Sequence, residues 1–148
     1  MLKENELVKI NDVDYECSAF TQEIQSKWEK HMQSQYLSII KKNRNSLGDD
    51  YFPMLEKFFL DVDMGVYDFN TTKFYDFLQK YENFQELMYW CFTYCYKDDI
   101  TKAVNRDELV KWIKENDKEA AMLFQRLQDS LVADKKKLTT GDSQNSSA

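Results

Sequence analysis

A chain of 148 residues with 43% apolar side chains can bury one substantial core. Only three glycines and one proline are present, too few turn-formers for a barrel or sandwich of many short strands. A formal net charge of −6 disfavours direct binding to nucleic-acid phosphates, and no apolar run approaches the roughly 18 residues of a membrane-spanning helix.

Leu7–Cys17 reads as a β-hairpin. Val8 and Ile10 alternate with polar residues, Val13, Tyr15 and Cys17 do the same, and Asn11-Asp12 supplies the turn. A lone hairpin is marginal in water, so it must lean on a helix. Thr21 is placed to cap a long helix with Ile24, Trp28, Met32, Tyr36 and Ile39 at helical spacing. Lys41, Lys42 and Arg44 fall at its C-terminal end, where they suit the helix dipole. "NSLGDD" reads as a break. Asp49 or Asp50 then caps a helix with Pro53 in its first turn and Phe52, Leu55, Phe59 and Val62 as its apolar stripe.

Asn70 or Thr71 is expected to cap a short helix bearing Phe74, Phe77, Leu78 and Tyr81. Asn83 is expected to cap the next, "FQELMYWCFTYCY", which is apolar on nearly every side and therefore central. Asn105 with Glu108 resembles a capping box ahead of Leu109, Trp112 and Ile113. Asn116 or Asp117 caps a last helix with Ala120, Phe124, Leu127 and Leu131 on one face. From Lys136 the chain is rich in Ser, Thr, Gly and Asn and reads as a disordered tail. The expectation is a mainly α single domain, residues 1–135, of five to six helices with an N-terminal hairpin at 7–17 and a tail at 136–148.

"DVDMGVYDFN", starting at Asp61, invites a calcium-loop reading. It fails on chemistry: Gly65 stands at position 5, Val66 where the glycine belongs, and Thr72 where a bidentate glutamate is needed. Gly65 more simply ends a helix in the left-handed conformation. Zinc would require Cys17, Cys91, Cys95 and His31, the only histidine, to converge. His31 sits on a polar helix flank and reads as a solvated surface residue without a catalytic partner. Asp49-Asp50, Asp61/Asp63 and Asp98-Asp99 lie at helix ends, where capping accounts for them. No catalytic, metal or cofactor site is expected. Tyr89, Trp90, Tyr94, Tyr96 and Trp112 are the residues expected to line a partner surface if they are not core.

The order of features carries a resemblance. The hairpin "VKINDVDYEC", the long helix with "KWEKHM", "DVDMGVYDFNTTKFYDFL" and then "FQELMYWCFTYCYKDDITKAVNRDELVKWI" with Thr101 resemble the small tail assembly chaperones of long-tailed bacteriophages over residues 7–133. The resemblance implies a non-enzymatic factor that coats a helical tape-measure protein until tail tube subunits displace it. It also implies residence in the host cytoplasm and a frameshifted longer form near "DKKKL" at 134–138, and it leaves oligomerisation open. The N-terminus, "MLKENELVKI", lacks the apolar core of a signal peptide, and the odd thiol count suits a reducing compartment.

Two other readings stand beside it. An acidic inhibitor of a nucleic-acid enzyme would gather Asp49, Asp50, Asp61, Asp63, Asp98 and Asp99 on one face. A small-ligand protein would set His31 or Tyr94 beside an acid in a pocket.

Overall fold

A computed structural model describes residues 5–146, with side chains described through Leu131. Of the tail expected at 136–148, the backbone through Ser146 is described as part of the last helix, and its side chains fall outside the described residues. Two compact units divide the chain: residues 5–21 with those from 85 on, and Gln22–Phe84.

In the discontinuous unit, β1 (Glu6–Ile10) and β2 (Val13–Cys17) pair antiparallel with Ile10 opposite Val13 and Glu6 opposite Cys17. Asn11 and Asp12 have φ of 52° and 65°, the two left-handed positions that a two-residue hairpin turn requires and that these residue types tolerate. The hairpin leans on helices, as its size demands. The Glu16 N–H donates to the Tyr96 hydroxyl at 2.8 Å, the Ser18 N–H donates to the Cys91 carbonyl at 2.9 Å, and Arg126 Nε donates to Glu6 at 2.9 Å.

Helix α5 (Tyr81–Tyr94, numbering the helices from the one at Gln22) runs from one unit of the chain into the other. It leaves no residue from Asn83 to Tyr94 exposed, and Leu87, Met88, Cys91 and Phe92 are fully buried. Its all-round apolar sequence is what a central position requires. Helix α6 (Arg106–Glu115) packs on α7 (Asp117–Ser146), burying Leu109, Trp112 and Ile113 on one and Ala120, Leu123, Leu127 and Leu131 on the other. Phe124, expected on that stripe, is half-buried and meets Phe20 edge-on at 5.8 Å. The Asn105 side chain accepts from the Asp107 N–H at 2.9 Å and so caps α6. Asn105→Ala is expected to cost about 1 kcal/mol in urea denaturation.

In the contiguous unit, α1 (Gln22–Lys42) packs on α3 (Tyr51–Asp63). The expected break between them is instead helical: α2 (Arg44–Leu47) and a 3₁₀ turn at Gly48–Asp50 fill it, with Gly48 at φ 55°. On α1, Ile24, Trp28 and Met32 are buried as the spacing predicts, while Tyr36 is half-buried and Ile39 is left in solvent. Asp50 stands at the N-cap of α3 but makes no side-chain cap bond.

The stripe expected on α3 is corrected. Tyr51 and Phe58 are the buried residues; Leu55 and Val62 are half-buried, and Phe52 and Phe59 are exposed. The cause lies in the loop that follows. Gly65, at φ +82°, turns the chain so that Tyr67 and Phe69 enter the core, and the Tyr67 ring takes Phe58 at 5.0 Å and Tyr36 at 5.3 Å. That left-handed φ is what calls for glycine there. The Phe69 N–H is received by Glu29, and Thr71, not Asn70, caps α4 (Thr72–Leu78) by accepting from the Phe74 N–H at 3.3 Å.

Two asparagine side chains bond back to the helix before them, although Asn116 also stands directly ahead of α7, where its carbonyl accepts from the Ala120 N–H at 2.9 Å. Asn83 lies inside α5, which begins at Tyr81, and its amide donates to the Phe77 carbonyl at 2.9 Å, closing α4. Asn116 donates to the Trp112 carbonyl at 3.0 Å, closing α6.

Candidate functional site

The five aromatics expected to line a partner surface all belong to the discontinuous unit, and all are buried or half-buried. Trp112 is 9% exposed and meets Phe92 edge-on at 6.3 Å. Trp90 Nε1 donates to Glu86 at 3.0 Å. The Arg106 guanidinium lies 4.0 Å over the Tyr89 ring and is held by Glu86, which raises its pKa further. Lys97 lies 4.0 Å over Tyr94, and the Tyr96 hydroxyl receives the hairpin.

The cysteines are packed rather than poised. Cys17 and Cys91 are fully buried and Cys95 half-buried. Cys17 is raised well above the ordinary thiol value by a hydrogen bond with Cys91 and by burial; Cys95 is raised by burial and by Glu16. These shifts favour the inert thiol over the reactive thiolate. Among the described residues no group of three or more His, Cys, Asp or Glu side chains is arranged to hold a metal ion. His31 departs from the expectation of a solvated residue: it is half-buried, 5.0 Å from the Trp28 ring and 6.0 Å from Phe77, an aromatic seat on α1 that its polar neighbours concealed.

Two of the acids are used locally. Asp61 is bound to Lys57 at 3.1 Å, and Asp99 accepts from the Thr101 hydroxyl at 2.5 Å. Among the described residues are open hollows, of which two carry apolar lining. One, of about 280 Å³, lies between β1 and the helices α6 and α7, lined by Leu7, Lys9, Trp112, Met122 and Arg126 among others. The other, of about 230 Å³, is lined by Tyr36, Ile39, Asp76, Phe77, Lys80 and Asn83. Neither is lined by His31 or Tyr94.

Exposed apolar side chains gather on the outer side of α3 and at the residue that caps its end. Phe52 is 62% exposed, Phe59 52%, Leu60 57% and Met64, the C-cap, 72%. Large apolar side chains in solvent are unremarkable singly, but three along one helix with a fourth at its end form a patch of the kind that marks an interaction site. The sequence held a signal for it: Tyr51–Val62 is apolar at every position but Glu56, Lys57 and Asp61, more than one helix face can bury.

No protein-family model matches the chain, and neither a curated protein nor a solved structure matches it. Among the described residues no helix is long and apolar enough to cross a membrane.

Proposed function

We propose that this protein is a non-enzymatic binding and assembly factor that shields an apolar segment of a protein client on the outer face of α3. One observation carries the reading: Phe52, Phe59 and Leu60, with Met64 at the C-cap, stand in solvent on a helix whose other side, Tyr51 and Phe58, is anchored in a core. Aromatic and methionine side chains on a fixed helix make an adaptable apolar surface. The resemblance to phage tail assembly chaperones gives the client a chemistry that suits such a face, a long helical tape-measure protein with apolar stripes, later released to tail tube subunits. The reading asks nothing of the buried thiols or of His31.

Affinity capture from the producing cells tests it. Wild-type protein should retain a long helical protein or tube subunits in stoichiometric yield, and Phe59→Asp should lower that yield by about thirtyfold, the effect of losing one central anchor. Phe59 is exposed, so the variant should keep the wild-type melting temperature. Equal capture by the variant would remove the α3 reading. A basic nucleic-acid enzyme in the eluate, released steeply by salt, would replace it with the inhibitor reading.

A further inference from the structure

We infer that the segment received by α3 is an amphipathic helix with lysine or arginine repeated at heptad spacing beside its apolar stripe, an inference that rests on the docking reading above. The face is chemically mixed in a regular way. Phe52 and Phe59 are seven residues apart, and so are Glu56 and Asp63. At about 100° per residue, each pair falls within about 20° on the helix surface. The acid pair then lies about 40° around from the phenylalanine pair, on the side of Leu60. The acids are therefore set into the apolar strip rather than opposite it. Their spacing along the axis is about 10 Å, two turns.

Both acids are exposed, and among the described residues neither forms a hydrogen bond or ion pair. The nearby cations are engaged elsewhere: Lys57 pairs with Asp61 at 3.1 Å, and the Arg44 guanidinium lies 4.9 Å over the Tyr51 ring. A seven-residue repeat of both apolar and charged positions is the pattern that a second helix reads when it packs at a shallow angle. The complementary helix presents apolar side chains to Phe52, Phe59 and Leu60 and a cation at every seventh residue to Glu56 and Asp63. A second copy of this chain fits poorly, because its own α3 would bring the same unpaired carboxylates to the contact under a net charge of −6 per chain. An anionic lipid surface is repelled for the same reason.

Fluorescence anisotropy with two synthetic peptides of about three heptads tests this on the full chain. Both carry leucine at the core positions; one has lysine and the other glutamate at the flanking heptad position. At low salt the lysine peptide should bind wild-type protein about tenfold more tightly, and the Glu56→Lys/Asp63→Lys double variant should reverse the preference. Phe59→Asp should weaken both peptides. Equal binding of the two peptides, or a preference unmoved by the double variant, overturns the basic client while leaving apolar docking in place. Failure of both peptides to bind, or binding indifferent to Phe59→Asp, overturns both. A concentration-dependent dimer in sedimentation that Phe59→Asp dissolves assigns the face to a second copy instead and overturns the basic client.

Discussion

Phe58→Ala is expected to lose about 3–4 kcal/mol of stability, and Phe59→Ala, one residue on, to change it by no more than about 0.5 kcal/mol. Phe58 is 4% exposed and lies 5.0 Å from the buried Tyr67 ring, so truncation removes a filled volume and opens a cavity. Phe59 is 52% exposed, so its loss takes away little burial. Urea denaturation of both variants at unchanged m-value checks the contrast. Comparable losses in the two would mean that α3 is rotated and that its outer apolar face is not outer at all. Chemically identical neighbours with opposite consequences make this the most direct test of the proposed docking surface.

The same pair shows where sequence stops short. Apolar periodicity located α3 within a residue of its true start, because Asp50 and Pro53 mark the first turn. It could not orient the helix, because almost every position from Tyr51 to Val62 is apolar and several faces qualify. The deciding contact comes from Tyr67 and Phe69, in a loop whose entry into the core depends on Gly65. The hairpin was legible because its turn has a local chemistry: two residues that accept positive φ between alternating strands. The position of Asn116 ahead of α7 was legible, but the side-chain roles of Asn83 and Asn116 were not, for a physical reason. An asparagine amide carries both an acceptor and a donor, so it can open a helix or close the preceding one, and spacing does not distinguish the two. The binding-surface reading fell on Tyr89, Trp90, Tyr94, Tyr96 and Trp112 because aromatics cluster there. None of the five is exposed: three lie on α5, Tyr96 follows it and Trp112 is on α6, and how far each is covered is a property of tertiary packing.

Alkaline pH is expected to destabilise the fold, beginning near the ordinary thiol range. Cys17 is raised by its hydrogen bond to Cys91 and by burial, and Cys95 by burial and Glu16. Tyr36 and Tyr67 are raised chiefly by burial, with Asp76 and Asp61 adding to it respectively. For each group the folded state holds its proton more tightly than the unfolded chain. Below the unfolded value both states are protonated and the group's contribution is fully present. Above it the unfolded chain ionises first, and stability falls until the folded value is passed. The slope for one such group approaches about 1.4 kcal/mol per pH unit. The thiols act from about pH 8.5 upward and the tyrosines from about pH 10. Denaturation midpoints at pH 7, 9 and 10 measure this, and Cys17→Ala should flatten the first part of the decline whatever it does to stability at pH 7. A profile as steep in that variant as in wild type would mean that Cys17 does not carry the effect.

The division of the chain has a consequence for the order in which the molecule is made. One unit closes through bonds that join the two ends of the sequence, Glu6 to Arg126 and Phe20 to Phe124. It stays open on the ribosome until the last helix has emerged. Residues 22–84 form a unit that is contiguous in sequence. Since domains fold as units during synthesis, the segment bearing α3 can be structured while some 40 residues up to Arg126 are still to be added. At an elongation rate of about 5–20 residues per second, that leaves an interval of seconds. During it the docking face is already displayed on a nascent chain whose hairpin has nowhere yet to rest. A client made nearby could be engaged before its captor is finished.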